Sequence, residues 1–214
     1  MRIYRLLILD FDGVLSNSLQ ICMEEVNRLR VEFPSLPEVH GRRDMIKLFS
    51  VQLRHSLHRF GLDDALTKSF FDYHSRAMSH RSHEIEPFYG AVSALVACSL
   101  SKIIVTSSYS HSVYNILRKC SDFHKGLIQQ VYGREEQKSK TEKIRDALKT
   151  FDVDVSEALY IGDLASDVLY CREVPVDIAC VGYGYHPAEY LRQFNPAYIL
   201  ESEEEFVDFI KHLK

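Results

Sequence analysis

The sequence has no tryptophan, few cysteines and no long apolar run, and the last two shortages exclude whole classes of protein. The 5 cysteines form no C-x-x-C pair and show no zinc-ligand spacing, so we expect free thiols, as in cytoplasmic proteins. No apolar stretch approaches the roughly 20 residues of a membrane-spanning helix. The apolar segment at residues 4–9 is too short for a signal sequence and ends in acids, so we interpret it as a strand.

The sequence also has no excess of positive charge. Lys and Arg number 26 against 30 Asp and Glu, which gives a formal net charge of −4. This balance implies no general attraction to nucleic acid or to an anionic membrane. With 214 residues, 46% of them hydrophobic, the chain suits one large domain or a core with a smaller appended unit. We therefore expect a cytoplasmic monomer or homodimer with neither nucleic acid nor membrane as a partner.

Strands and helices alternate along much of the chain. Predicted strands lie at residues 4–9, 102–105, 127–131, 158–161, 177–181 and 197–200. Helices are predicted at residues 91–99, from about 109 to 119, and at 141–151, 166–173 and 203–213. This alternation predicts an α/β protein with a doubly wound, Rossmann-like parallel sheet that has helices on both faces.

One long segment between the first two strands breaks this alternation, because its pattern is helical. Asn17 or Ser18 is predicted to cap a helix that runs to about Phe33. Helical periodicity continues over 45–60, with Gly61 as a stop, and another helix is predicted at 63–80. We interpret the segment as an inserted α-helical cap domain that lies over the carboxyl edge of the sheet. The predicted cap comprises residues 16–85, and the predicted core comprises 1–15 and 86–214.

Polar side chains follow the first, second and fourth predicted strands, each at its carboxyl end. In chain order they are Asp10 and Asp12, Thr106 and Ser107, and Asp163 and Asp167. In a doubly wound sheet these strand ends meet at one crevice. Carboxylates that crowd together there need a cation, and Mg²⁺ prefers one or two carboxylates, waters and a substrate phosphate. The sequence therefore predicts a Mg²⁺ site.

A lysine would complete a site for phosphoryl transfer. Lys138 and Lys140 precede the helix at 141–151, and either one can neutralise a phosphate. In such a site one aspartate attacks phosphorus to form an aspartyl-phosphate, and a second moves the protons of the leaving alkoxide and of the hydrolytic water. Thr106 and the lysine would donate hydrogen bonds to the phosphoryl oxygens in the transition state.

Four motifs make the chain similar to the haloacid dehalogenase superfamily of Mg²⁺-dependent phosphohydrolases, in its helical-cap subfamily. D-F-D-G-V-L at 10–15 matches the motif D-x-D-G-x-L/V, and I-V-T-S at 104–107 matches a hydrophobic strand that ends in Ser or Thr. Lys138 or Lys140 matches the third motif, and G-D-L-A-S-D at 162–167 matches G-D-x-x-x-D. The motifs occur in the order typical of the family.

Two further similarities refine this resemblance. V-G-Y-G-Y-H-P at 181–187 is similar to a segment of phosphoglycolate phosphatase-like members. S-K-T-E-K at 139–143 fits the variant S-K-x-E-K, which favours Lys140 as the active-site lysine. Lys138 is the alternative, although it lacks the proline that follows the lysine in the variant K-P-x-P.

The resemblance implies a role for each motif aspartate. Asp10 would be the nucleophile and a metal ligand. Asp12 would be the general acid and base, with its backbone carbonyl on the metal. Asp163 would be the third protein ligand, and Asp167 would orient a metal-bound water or the lysine.

Substrate-binding residues are implied in the motifs and in the cap. Gly13 and Ser107 lie within the first and second motifs. In the cap, H-G-R-R at 40–43 resembles the loop in which relatives grip the distal anion of a substrate, so Arg42 and Arg43 are candidates.

The resemblance implies a Mg²⁺-dependent phosphoric monoester hydrolase, similar to phosphoglycolate phosphatase, that acts on a small phosphorylated metabolite. The presence of Asp12 argues against a dehalogenase or a phosphonatase, whose motif lacks the second aspartate. A phosphomutase of the β-phosphoglucomutase type is an alternative, but the histidine that follows the first motif in those relatives is absent from residues 17–24. A non-catalytic interaction protein on the same fold is a further alternative, although it would be expected to have lost a motif residue.

Overall fold

A single parallel sheet forms the centre of the protein. The structure is a computed structural model that describes residues 3–49, 53–124 and 126–213. Within these residues six strands are arranged in the order β3-β2-β1-β4-β5-β6, all parallel. They are β1 (Leu6–Leu9), β2 (Ser101–Val105), β3 (Gln130–Tyr132), β4 (Ala158–Gly162), β5 (Asp177–Val181) and β6 (Tyr198–Leu200). The predicted α/β class with a doubly wound sheet is therefore confirmed.

The strand order puts the predicted site at the centre of the sheet. From β1 the chain continues outward to β2 and β3 on one side, and from β4 it continues to β5 and β6 on the other. The order thus reverses between β1 and β4, which pair with Leu9 opposite Ile161. In open α/β sheets ligands bind at this reversal, beyond the carboxyl ends of the strands. Asp10 and Asp163 directly follow these two neighbouring strands.

Helices between β1 and β2 build the segment predicted as a cap. They are α1 (Leu19–Leu29), α2 (Arg42–Leu48), α3 (Leu53–Arg59) and α4 (Asp64–His80). The helical pattern predicted over residues 45–60 thus forms two helices, and residues 50–52 lie outside the described residues. Two connections tie the segment to the core side by side, because the Asn17 amide donates to the Glu86 carbonyl at 2.8 Å and the Phe88 amide donates to the Leu15 carbonyl at 2.9 Å.

The remaining helices cover the sheet and bury its two faces. They are α5 (Tyr89–Ala97), α6 (Ser110–Leu117), α7 (Lys140–Phe151), α8 (Ala165–Glu173), α9 (Ala188–Leu191) and α10 (Glu203–His212). Leu7 and Leu9 of β1 belong to the core cluster that includes α5, α6, α10 and the cap helices. Leu6 and Ile8 belong to the cluster with α7 and α8 on the opposite face. This alternation explains why β1 is apolar throughout, since both of its faces are buried.

In the cap, the predicted end of the first helix is wrong, and its predicted N-cap residue Ser18 is in place but makes no capping hydrogen bond. Helix α1 ends at Leu29 and does not reach Phe33. The Asn27 side chain bonds the backbone amide and carbonyl of Val39 at 2.8 and 2.7 Å, which fixes the returning chain beside the helix end. Ser18 occupies the N-cap position without a capping hydrogen bond, because its hydroxyl bonds the Tyr185 hydroxyl at 3.0 Å.

Strand β3 begins at Gln130, three residues later than predicted, because Leu127 and Ile128 are buried in the loop that precedes it. The other predicted strands and helices of the core begin and end within about two residues of their predicted limits, whereas α9 was not predicted. Among the described residues, no helix combines the length and the apolar character that a membrane span requires.

Candidate active site

The loop after β1 holds the first two aspartates in different surroundings. Asp10 is buried, and its Oδ1 accepts a hydrogen bond from the Phe11 amide at 2.7 Å. Gly13 adopts a φ of +77°, and a Cβ there would lie 2.0 Å from Asp163 Oδ2. Glycine is therefore required both by the left-handed backbone and by the close approach of the Asp163 carboxylate.

The carboxylate of Asp12 is separate from the buried acids. Its Oδ1 accepts from the Ser16 hydroxyl at 3.1 Å, and its Oδ2 accepts from the Ser108 hydroxyl at 2.6 Å. The side chain is only partly buried and lines a cavity between the core and the cap. The two carboxylates thus differ in position, since that of Asp10 is buried and that of Asp12 is held at the wall of the cavity.

The acids after β4 complete a buried cluster with Asp10. Carboxylate oxygens of Asp10, Asp163 and Asp167 all lie within 4.8 Å of one another. Asp163 Oδ2 accepts from the Tyr185 amide at 2.7 Å, whereas the buried Oδ1 has no partner among the described residues. Asp167 Oδ2 accepts from the Leu164 amide at 3.1 Å. An unpartnered buried oxygen in a group of three acids suits an oxygen-ligated cation such as Mg²⁺.

Lys140 reaches this cluster from the start of α7. Its Nζ donates to Asp10 Oδ2 at 2.5 Å and to Asp167 Oδ1 at 2.8 Å. The helix begins with a capping box, in which Ser139 and Glu142 satisfy each other's backbone amides. This cap fixes the first helical residue, Lys140, so that its side chain extends to the carboxylates.

Lys138 also lines the cavity but makes a different contact. Its ammonium group bonds Asp146 at 2.6 Å, and both side chains are nearly half exposed. Of the two predicted lysines, the structure thus brings Lys140 to the motif carboxylates, and Lys138 forms a surface ion pair.

Burial and neighbouring charges together raise the pKa values of Asp10, Asp163 and Lys140. Burial raises the pKa of Asp10 to about 7, although the neighbouring Lys140 ammonium acts against this shift. Burial, together with the charges of Asp10 and Asp167, raises the pKa of Asp163 well above its usual value. For Lys140 burial favours a lower pKa, but the two bonded aspartates outweigh it and raise the pKa. The cluster therefore needs further positive charge before all its acids can ionise.

The loop after β2 adds hydroxyl groups next to the cluster. Thr106 is buried, and its Oγ1 accepts from the Ser108 amide at 3.0 Å, so its hydroxyl proton remains for donation. Ser107 is exposed and lines the cavity. Lys143, whose role the sequence did not indicate, donates from Nζ to the Thr106 carbonyl at 2.8 Å. Burial lowers the pKa of Lys143 to about 8.

The cavity has a volume of about 710 Å³ and is lined by both the core and the cap. It contains two arginines that the motifs did not indicate, Arg54 of α3 and Arg134 after β3. The predicted cap arginines do not line it, because the Arg42 guanidinium bonds the carbonyls of Gly182 and Tyr183 and Arg43 is exposed. The lining residues of the cavity thus do not include Arg42 or Arg43, and a contact of either one with a substrate stays a prediction.

Comparison with known proteins identifies the family to which the chain is similar. The family model described as haloacid dehalogenase-like hydrolase matches residues 7–181. Pyrophosphatase PpaX from Halalkalibacterium halodurans is 24% identical over 207 residues, which cover 95% of each chain.

Solved structures share the fold at low sequence identity. A predicted phosphatase from Clostridium acetobutylicum superposes with a TM-score of 0.80 at 20% identity, covering 99% of this chain and 100% of that one. A protein from Lactobacillus plantarum that is provisionally named a phosphoglycolate phosphatase gives a TM-score of 0.79 at 18% identity, covering 96% and 99%. The family match covers most of the chain and spans all four motifs. The chain therefore belongs to the haloacid dehalogenase-like hydrolase family.

Proposed function

We propose that the protein is a Mg²⁺-dependent phosphomonoesterase that acts on a small phosphorylated metabolite through an aspartyl-phosphate intermediate. The observation that carries this proposal is the Lys140 ammonium group within hydrogen-bond distance of Asp10 and Asp167, in a cluster of three buried acids. Such a cluster repels a phosphate unless cations lie among its acids. A lysine together with a divalent ion supplies that charge.

Asp10 is the proposed nucleophile. The Phe11 amide donates to its Oδ1 at 2.7 Å, which orients the carboxylate at the carboxyl end of β1. Lys140 stabilises the ionised form of this carboxylate by a charge-assisted hydrogen bond. As the new bond to phosphorus forms, the Thr106 hydroxyl and the Lys140 ammonium group donate to the phosphoryl oxygens.

Asp12 is the proposed general acid and base. The hydroxyls of Ser16 and Ser108 hold its two oxygens, which fixes the carboxylate at the cavity wall next to Thr106. From there it protonates the leaving oxygen in the first step. In the second step it removes a proton from the water that attacks the aspartyl-phosphate.

Asp10 and Asp163, with the backbone carbonyl of Asp12, are the proposed Mg²⁺ ligands. When bound, Mg²⁺ would offset the repulsion between the attacking carboxylate and the anionic phosphoryl group. Both oxygens of Asp167 already accept from protein donors, Lys140 and the Leu164 amide. We therefore assign to Asp167 the positioning of Lys140.

The division into core and cap underlies the choice of substrate. We propose that residues 16–85 act as a cap domain on a core of residues 1–15 and 86–214. The cap contributes Phe49, Arg54 and His74 to the cavity, so it meets the part of the substrate beyond the phosphoryl group. Relatives named as a pyrophosphatase and a phosphoglycolate phosphatase support small phosphorylated compounds as the substrate class.

Hydrolysis of p-nitrophenyl phosphate tests the proposal. We expect turnover that requires Mg²⁺ and that falls to background in Asp10→Asn. Circular dichroism checks that the variant is folded. Turnover that is unchanged by Asp10→Asn, or no turnover in the wild type with Mg²⁺ present, would show that the proposed function is wrong.

A further inference from the structure

Arg134 lies on the side of the site where the proposed mechanism puts the leaving group. Its backbone amide donates to the Ser108 carbonyl at 2.9 Å, and the Ser108 hydroxyl donates to Asp12 at 2.6 Å. If Asp12 protonates the leaving oxygen, the substrate beyond that oxygen extends along this wall of the cavity. Arg134 is one of the residues that line the same cavity.

In this structure the side chain of Arg134 bonds the cap. Its Nη2 donates to Asp72 Oδ1 of α4 at 2.8 Å, with side chains 24% and 35% exposed. This bond is the largest cause that holds the pKa of Asp72 below its usual value. A second cation, Lys68, lies 3.4 Å from the other oxygen of Asp72. Asp72 would therefore keep a positive partner if Arg134 turned to another anion.

The chemistry of the guanidinium group suits such an exchange. Arginine presents five N–H donors in a planar fork that matches carboxylate and phosphate oxygens in pairs. The bond to Asp72 is the one side-chain hydrogen bond of Arg134 among the described residues. Because partly exposed ion pairs contribute little, an anion in the cavity that accepts two bonds competes well with Asp72.

We propose that Arg134 is a specificity-determining residue that binds a second anionic group of the substrate in exchange for Asp72. The second group is a carboxylate or a further phosphoryl group attached near the leaving oxygen. This inference rests on the proposed function, since it uses the side assigned to the leaving group. It replaces Arg42, whose guanidinium bonds backbone carbonyls of the core, as the residue that grips the distal anion.

Binding of unreactive phosphonates tests this assignment. Calorimetry at one fixed free Mg²⁺ concentration compares methylphosphonate, which has one anionic group, with phosphonoacetate and methylenediphosphonate, which have two. In Arg134→Gln we expect the affinity for the two-anion ligands to fall 10- to 100-fold, and at least tenfold more than the affinity for methylphosphonate. Arg134→Lys should restore part of the loss. If the wild type binds phosphonoacetate more tightly than methylenediphosphonate, the second anionic group is a carboxylate. The reverse order indicates a phosphoryl group.

Two further variants separate recognition from a structural bond between cap and core. Arg76→Gln changes an exposed arginine of α4, one turn after Asp72 and outside the cavity lining, and should alter no affinity by more than twofold. Asp72→Asn should leave the affinity for two-anion ligands unchanged or raise it. If Asp72→Asn and Arg134→Gln instead weaken all three ligands alike, or if Arg134→Gln weakens none, the proposal is wrong.

The outcome is independent of turnover, because the phosphonates are bound and not hydrolysed. A wild type that binds none of the three would also contradict the proposal. Failure of p-nitrophenyl phosphate hydrolysis, with selective binding retained, would contradict only the proposed function.

Discussion

Replacing Lys140 by methionine should remove most of the catalytic activity and leave the protein folded. Methionine keeps the apolar stem of the side chain but removes the ammonium group that bonds Asp10 at 2.5 Å and Asp167 at 2.8 Å. In the proposed reaction the same group donates to the phosphoryl oxygens. Loss of one preorganised donor costs about 3–4 kcal/mol of transition-state stabilisation, so kcat should fall on the order of 10²- to 10³-fold.

Lys138 supplies the matched control. It lies two residues away and also lines the cavity, but its ammonium group bonds Asp146 in a surface ion pair. Such pairs contribute about 0–1 kcal/mol to stability, and Lys138→Met should lower kcat less than about threefold. The assay is steady-state hydrolysis of p-nitrophenyl phosphate with saturating Mg²⁺, with thermal unfolding as a check on folding. If Lys138→Met is impaired as severely as Lys140→Met, or if Lys140→Met retains near wild-type kcat, the assignment of the lysine is refuted.

Two further predictions concern pH. Because burial raises the pKa of Asp10 to about 7 and that of Asp163 well above its usual value, the metal-free cluster holds protons near neutral pH. Mg²⁺ should therefore bind with proton release and more weakly as the pH falls from 8 to 6, and calorimetry in buffers of different ionisation enthalpy measures both effects. A dissociation constant independent of pH over this range would contradict the prediction. His186 is fully buried, and burial lowers its pKa from 6.5 to about 4. The unfolded chain then binds more protons between these values, so stability falls as the pH is lowered through this window. Between pH 7.5 and 4.5 the wild type should lose about 2–3 kcal/mol more than His186→Gln in urea unfolding. Parallel losses in the two proteins would show that His186 is not the cause.

The sheet was predictable from the sequence because its central strands are buried on both faces. Leu6–Leu9 and Ala158–Gly162 are continuous apolar runs, and each is followed directly by an aspartate. The position of these strands as neighbours follows from general rules for doubly wound sheets. The proximity of Asp10 to Asp163 could therefore be predicted from the sequence.

The positions of the cap and loop arginines could not be predicted in the same way. Arg42 follows a glycine at the start of α2, a local pattern typical of a substrate loop, yet its guanidinium group bonds carbonyls 140 and 141 residues away. Arg134 lies in the charged run R-E-E-Q-K-S-K, which has the composition of a solvated loop. Its partner Asp72 is 62 residues distant. Such contacts depend on how the cap packs on the core, and no short-range periodicity encodes that packing.

The same limit applies to Lys143 and to the end of α1. Lys143 lies within a helix whose sequence is largely polar. Only the fold brings its ammonium group to the carbonyl of Thr106. The end of α1 at Leu29 depends on hydrogen bonds between the Asn27 side chain and the backbone of Val39, 12 residues apart.

Trapping the covalent intermediate tests the central claim most directly. Asp12→Asn removes the proposed base for the second step, while p-nitrophenolate leaves readily without a proton from an acid. After incubation of this variant with ³²P-labelled p-nitrophenyl phosphate and Mg²⁺, acid quenching and peptide mapping should find the label on Asp10. The label should be absent from the double variant that also carries Asp10→Asn. Label on another residue, or turnover by Asp12→Asn with no labelled protein, would contradict an aspartyl-phosphate mechanism at Asp10.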